Sequence, residues 1–123
     1  MNHLKILAVD DDQDFLEELK DTLCLSGYDV DIESENEKIL NKMDEYKPDI
    51  LLLDLKMTPK SGFQIADELR NYPQWNDVKI IGMTGIFNER EHQTFTHLCG
   101  INSLITKPVT PLQLIAHIEQ ILN

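Results

Sequence analysis

The sequence predicts an α/β domain: a three-layer (βα)5, doubly wound parallel sheet with strand order 2-1-3-4-5. Three observations carry this. Residues 50–53, Ile-Leu-Leu-Leu, form an apolar run too short for a helix and stopped by Asp54 and a loop bearing Pro59 and Gly62, the pattern of a strand buried on both faces. Four more short strand-like runs alternate with stretches whose apolar residues recur every three or four positions, which implies right-handed βαβ crossovers and helices on both sides of the sheet. Residues 28–32, Tyr-Asp-Val-Asp-Ile, alternate strictly, so this strand has one wet face and belongs near an edge.

Taken in order, residues 4–9 are a first strand ending in Asp10, Asp11 and Asp12. Asp12 or Asp11 caps a helix carrying Phe15, Leu16, Leu19 and Leu23, closed by Ser26 and Gly27. After the alternating strand, residues 34–46 read as a more polar helix with Ile39, Leu40 and Met43 as its buried stripe, ended by Lys47 and Pro48. The central strand follows, then a helix over residues 62–72 through Phe63, Ile65, Ala66 and Leu69. Residues 78–83 are a fourth strand. Asn88 with Glu91 three positions on resembles a capping box for a helix to about residue 98. Residues 102–106 are a short fifth strand. Thr110 and Pro111 then supply an N-cap and a first-turn proline for a last helix burying Leu114, Ile115, Ile118, Ile121 and Leu122.

One domain fills residues 1–123, and no stretch is left over for an output domain. The net charge of -11 argues against a nucleic-acid surface, which needs clustered Lys and Arg. Neither a membrane span nor a signal peptide is legible, so a cytoplasmic location is expected. Cys24 and Cys99 lie far apart without metal-ligand spacing; both are expected to be reduced and at least partly buried. His3, His92, His97 and His117 have no partners at ligand spacing, and Trp75 is expected to cover the edge of the core.

In a 2-1-3-4-5 sheet the chain reverses direction between strands 1 and 3, and ligands bind in the crevice beyond the strand ends there. This brings Asp10, Asp11 and Asp54 together. Three carboxylates in one crevice need a cation to stay ionised, and hard oxygen donors select Mg2+ or Mn2+. Thr84 and Lys107 end strands 4 and 5 on the same rim, offering a hydroxyl and a point charge for phosphoryl oxygens. Taken singly, each of these residues is as readily a cap, a strand end or a solvated charge; Asp12 and Asp14 are read only as helix N-terminal acids. Acid pair, carboxylate nucleophile, hydroxyl and lysine together form a set suited to phosphoryl transfer.

With these residues the sequence resembles the receiver domains of bacterial response regulators, the phosphoacceptor half of two-component signalling. The matching motifs are Val9-Asp10-Asp11, Leu53-Asp54 with Gly62 following, Met83-Thr84-Gly85 and Thr106-Lys107-Pro108, and the likeness runs over residues 4–122. The resemblance implies that Asp54 accepts a phosphoryl group from the phosphohistidine of a sensor histidine kinase or a phosphotransfer protein, or from a small acyl phosphate. It implies Mg2+ held by Asp11, Asp54 and the Lys56 backbone carbonyl, with Asp10 bound through water. Thr84 and Lys107 would hold the phosphoryl oxygens, and the Lys107-Pro108 bond would be cis. The chain would be a signalling phosphoacceptor, limited as a catalyst to its own phosphotransfer and dephosphorylation.

Three positions depart from the family pattern. Thr58 stands where proline is common, with Pro59 one place late. Leu104 replaces the Tyr or Phe whose rotation accompanies activation. Lys56 is expected near the mouth of the phosphoryl site, where it should influence how fast water removes the phosphoryl group; equal dephosphorylation rates for wild type and Lys56→Asn would sink that idea.

Competing readings are a receiver-like docking module that no longer switches, a phosphatase with an aspartate nucleophile and a flavodoxin-like electron carrier. Asp54-Leu55-Lys56-Met57-Thr58 nearly echoes the D-x-D-x-T motif of haloacid-dehalogenase phosphatases, but Lys56 stands in place of the second Asp. Asp10, Asp11 and Asp12 would repel a flavin phosphate. The expected partner surface is the side built by the fourth and fifth strands and the two predicted helices following them, from about residue 88 to 118. A homodimer through that side is also open.

Overall fold

All five side chains of residues 50–54 are buried, and the chain is built outward from that strand. The computed structural model describes residues 4–85 and 99–122. In order they form β1 (Lys5–Val9), α1 (Gln13–Leu25), β2 (Asp29–Glu33), α2 (Ile39–Tyr46), β3 (Ile50–Asp54), α3 (Gly62–Leu69), β4 (Lys79–Thr84), β5 (Ser103–Thr106) and α4 (Pro111–Leu122). The helix expected over residues 88–98 lies outside the described residues. The strands make one sheet in the order β2-β1-β3-β4-β5, every neighbouring pair parallel. The alternating segment is an edge strand, as its wet face requires.

Strand side chains point alternately to the two faces, and the core divides accordingly. Leu7, Val9, Leu51 and Leu53 pack with Ile39 and Met43 of α2 and Ile65 and Leu69 of α3. Ile6, Ala8, Ile50 and Leu52 pack with Leu16, Leu19 and Leu23 of α1 and Leu114 and Ile118 of α4. Trp75 closes the rim of the first cluster, in keeping with the sequence.

Local chemistry sets the helix ends. Asp12 caps α1, its carboxylate accepting from the Phe15 N–H at 3.1 Å. At the other end Gly27, at φ 96°, lets its own N–H reach the Cys24 carbonyl and the Tyr28 N–H reach the Leu23 carbonyl, a Schellman closure. Ser61 and Gln64 cap α3 reciprocally, and Thr110 and Gln113 do the same for α4, at 3.2 Å in each direction. Such boxes satisfy two helix-end N–H groups at once.

Four expectations are corrected. The second helix starts at Ile39, because Asn36 turns inward and donates to the Lys60 carbonyl at 2.7 Å, leaving residues 36–38 as a 3-10 turn; polar side chains that bond elsewhere compete with helix entry. The third helix stops at Leu69, since Pro73 pushes Tyr72 into the extended region (φ -104°, ψ 114°). Leu122 is 43% exposed and does not join the buried stripe of its helix. Cys24 is exposed on α1 rather than partly buried, one position beyond the buried Leu23; Cys99 is half-buried and, like Cys24, a free thiol.

Candidate functional site

The register fixes the site before any side chain is considered. Val9 lies level with Leu53, Asp54 with Met83 and Thr84 with Thr106. The residues just past these positions therefore share one end of the sheet. Asp10, Asp54, Thr84 and Lys107 all meet there, at the reversal between β1 and β3. Asp10 (1% exposed), Asp54 (2%) and Thr84 (6%) are the only buried acids and hydroxyl among the described residues, whereas Asp11 is exposed at the mouth.

Asp10 and Asp54 share one cation. Lys107 Nζ lies 2.9 Å from Asp10 Oδ2 and 3.3 Å from Asp54 Oδ1. Backbone N–H groups add to this: Asp12 N–H donates to Asp10 Oδ1 at 3.0 Å, and Lys56 N–H to Asp54 Oδ1, the oxygen that also faces Lys107, at 3.1 Å. Lys107 is itself placed by its N–H, which donates to the Thr84 carbonyl at 2.7 Å. Burial, with help from the neighbouring Asp10 charge, pushes the Asp54 carboxyl above its ordinary range, and the Lys56 N–H and Lys107 offset only part of this. Burial disfavours the Lys107 charge, but its bonds and attraction to Asp10 and Asp54 outweigh that and raise its pKa.

One carboxylate oxygen each from Asp10, Asp11 and Asp54 lies within 4.8 Å of the others. Three acids facing one ammonium leave an excess of negative charge, and an all-oxygen donor set suits a hard divalent cation. The sequence-predicted residues Asp10, Asp11, Asp54, Thr84 and Lys107 thus all come together. Lys56 joins them through its backbone, while its side chain is exposed.

The loop after Asp54 is held tightly. Gly62 N–H donates to the Leu55 carbonyl at 3.1 Å, and a Cβ on Gly62 would stand 2.5 Å from the Asp54 carbonyl oxygen. Both Thr58-Pro59 and Lys107-Pro108 are cis; the second was expected and the first was not. Leu104, in the position of the family's aromatic residue, is partly buried against the α2/α3-side core. Sequence reasoning assigned Lys107 to phosphoryl oxygens and missed that it pairs with both Asp10 and Asp54. It also missed Asn36 and Arg70, whose partners, apart from Asn102 Oδ1, are backbone carbonyls that no pattern of residue types marks.

The response regulator receiver domain model matches residues 6–119. The Bacillus subtilis alkaline phosphatase synthesis transcriptional regulatory protein PhoP is 32% identical, the match covering 97% of this chain and 48% of that protein. The Escherichia coli transcriptional regulatory protein CpxR is likewise 32% identical, over 97% of this chain and 49% of its own. The chain thus spans about half the length of these two relatives. Among solved structures, the Vibrio cholerae chemotaxis response regulator CheY4 superimposes with a TM-score of 0.90 over 98% of this chain and 99% of its own, at 23% identity, a likeness of fold. With a family model spanning nearly the whole chain, a 2-1-3-4-5 parallel sheet and an acidic crevice at its switch point, the chain belongs to the response regulator receiver domains of two-component signalling.

Proposed function

We propose that residues 1–123 act as one receiver unit in which Asp54 accepts a phosphoryl group. The observation that carries this is Asp54 itself: a buried carboxylate at the end of the central strand, 3.3 Å from Lys107 Nζ and grouped with Asp10 and Asp11. Its donor would be a phosphohistidine on a sensor kinase or phosphotransfer protein, or a small acyl phosphate. Attack by an Asp54 oxygen on phosphorus forms the acyl phosphate as the bond to the donor breaks, and the donor leaves with its electron pair.

Asp10, Asp11, Asp54 and the Lys56 carbonyl would hold Mg2+ or Mn2+, which neutralises charge on the transferring group. Lys107 holds Asp54 in place before transfer and is positioned to bond a phosphoryl oxygen after it. Thr84, at the end of β4, would supply a hydroxyl hydrogen bond. Positioning and charge neutralisation are most of what this chemistry demands of a protein. Downstream partners would be engaged through the side formed by β4, β5 and α4, either another protein or a second copy of the chain.

The test uses acetyl phosphate with Mg2+ and intact-mass spectrometry. A gain of one phosphoryl group in wild type, absent in Asp54→Asn and after EDTA, is the expected result. Incorporation that persists in Asp54→Asn would place the acceptor elsewhere.

A further inference from the structure

Arg70, just past the end of α3, is a half-buried cation with no carboxylate beside it among the described residues. Its guanidinium is instead surrounded by neutral oxygens from two separate stretches of chain, residues 75–78 and 100–102. Nε and Nη2 both donate to the Gly100 carbonyl, at 2.9 and 2.8 Å. Nη1 donates to the Trp75 and Asn76 carbonyls at 2.8 and 3.3 Å. Nη2 also reaches the Val78 carbonyl at 2.9 Å and Asn102 Oδ1 at 3.0 Å.

The partners are built for this. Gly100 sits at φ 73°, and a Cβ there would stand 2.7 Å from Arg70 Cγ. Glycine therefore permits both the backbone turn and the close approach. Asn102 Oδ1 accepts a second bond from the Ile80 N–H at 2.8 Å, and the Asn102 N–H returns to the Ile80 carbonyl at 2.9 Å. The β4–β5 ladder is thus continued by a side chain, below the point where β5 begins.

All these contacts lie at the starts of β4 and β5. The opposite ends of the same two strands carry Thr84 and lead to Lys107, roughly 13–17 Å away at about 3.3 Å per residue. A guanidinium fork holding several acceptors at once is rigid in a way a single hydrogen bond is not. The strands are accordingly fixed at one end and answer to the Asp54 pocket at the other.

We propose that Arg70 is the fixed end of the switch, pinning the starts of β4 and β5 to α3 so that a charge change at Asp54 is expressed only at their C-terminal ends. This rests on the phosphoacceptor reading above. Without the pin, the same stimulus spreads down both strands and its effect at Thr84 is diluted. Arg70 touches no reacting atom and acts by positioning.

The experiment is amide NMR with Mg2+, before and after beryllium fluoride, on wild type, Arg70→Met and Asn102→Ala. The last removes one acceptor and the Ile80 cap while leaving the other Arg70 bonds, and serves if Arg70→Met does not fold. In wild type, shifts at Asp54, Thr84 and Lys107 are expected to exceed those at Val78, Ile80, Gly100 and Asn102 at least fivefold. In the variants that ratio falls toward one, and amide exchange at Ile80 accelerates at least tenfold while Leu52 and Leu53 are unchanged. A purely structural role would lower stability and leave the ratio alone. Wild-type shifts as large at Gly100 as at Thr84, or a variant pattern superimposable on wild type, overturns the proposal. If wild type shows no shift at Asp54 or Thr84, the phosphoacceptor reading has failed instead; unchanged Ile80 exchange in the variants then overturns the pin on its own.

Discussion

Gly62 shows at the scale of one residue how the site constrains the chain. Its missing side chain is what lets the loop after β3 fold back on Asp54, because a Cβ would meet the Asp54 carbonyl oxygen at 2.5 Å and Leu55 Cα at 2.7 Å. Both are backbone atoms and cannot swing aside. Gly62→Ala is therefore expected to cost about 1–3 kcal/mol, the usual range for overpacking, and to displace the Asp54 carboxylate. Urea denaturation gives the first and loss of acetyl-phosphate acceptance the second; an unchanged midpoint would show that the loop yields freely. Arg70 makes a different point at the same scale. Its residue type is unremarkable in the sequence, and its importance is set entirely by five oxygens brought to it from elsewhere.

Between elements, the contact of interest joins β5 to α4. Ser103 Oγ hydrogen-bonds His117 Nε2, and burial lowers the His117 pKa below its ordinary 6.5. The folded chain then holds fewer protons on this ring than the unfolded chain does as pH falls through 6.5. The contribution to stability is present above pH 6.5 and declines below it. Wild type should lose stability faster than His117→Gln on acidification from pH 6.5, and the His117 ring should titrate below 6.5 by NMR. Equal slopes for the two proteins would remove His117 from the account. The helices illustrate the same level: α1 and α4 follow the caps written in their sequence, while α2 starts late because Asn36 found a better partner in the Lys60 carbonyl.

For the molecule as a whole, the acidic crevice sits in a chain of net charge -11, and a bound divalent cation relieves repulsion both locally and globally. Mg2+ at about one hundred times its dissociation constant should stabilise the fold by about 2.7 kcal/mol. Asp11→Ala should lose most of that gain with little cost of its own, since Asp11 is exposed. Calorimetry with NaCl at matched ionic strength separates binding from screening; equal gains from the two salts would mean that no specific site exists.

The sequence by itself determined the fold class, the strand order and five of the site side chains. Those follow from short-range chemistry: Ile50 to Leu53 have nowhere to go but a doubly covered strand, and the residue that follows such a strand must emerge at its carboxyl end. The tertiary structure alone decided that Lys107 is shared between Asp10 and Asp54, that Asn36 turns inward so that α2 starts only at Ile39, and that Arg70 ties α3 to the starts of β4 and β5. Each of these depends on at least one carbonyl or charge that lies 24 to 97 residues away along the chain. A carbonyl is present at every residue, so only the folded geometry tells which one a side chain will meet.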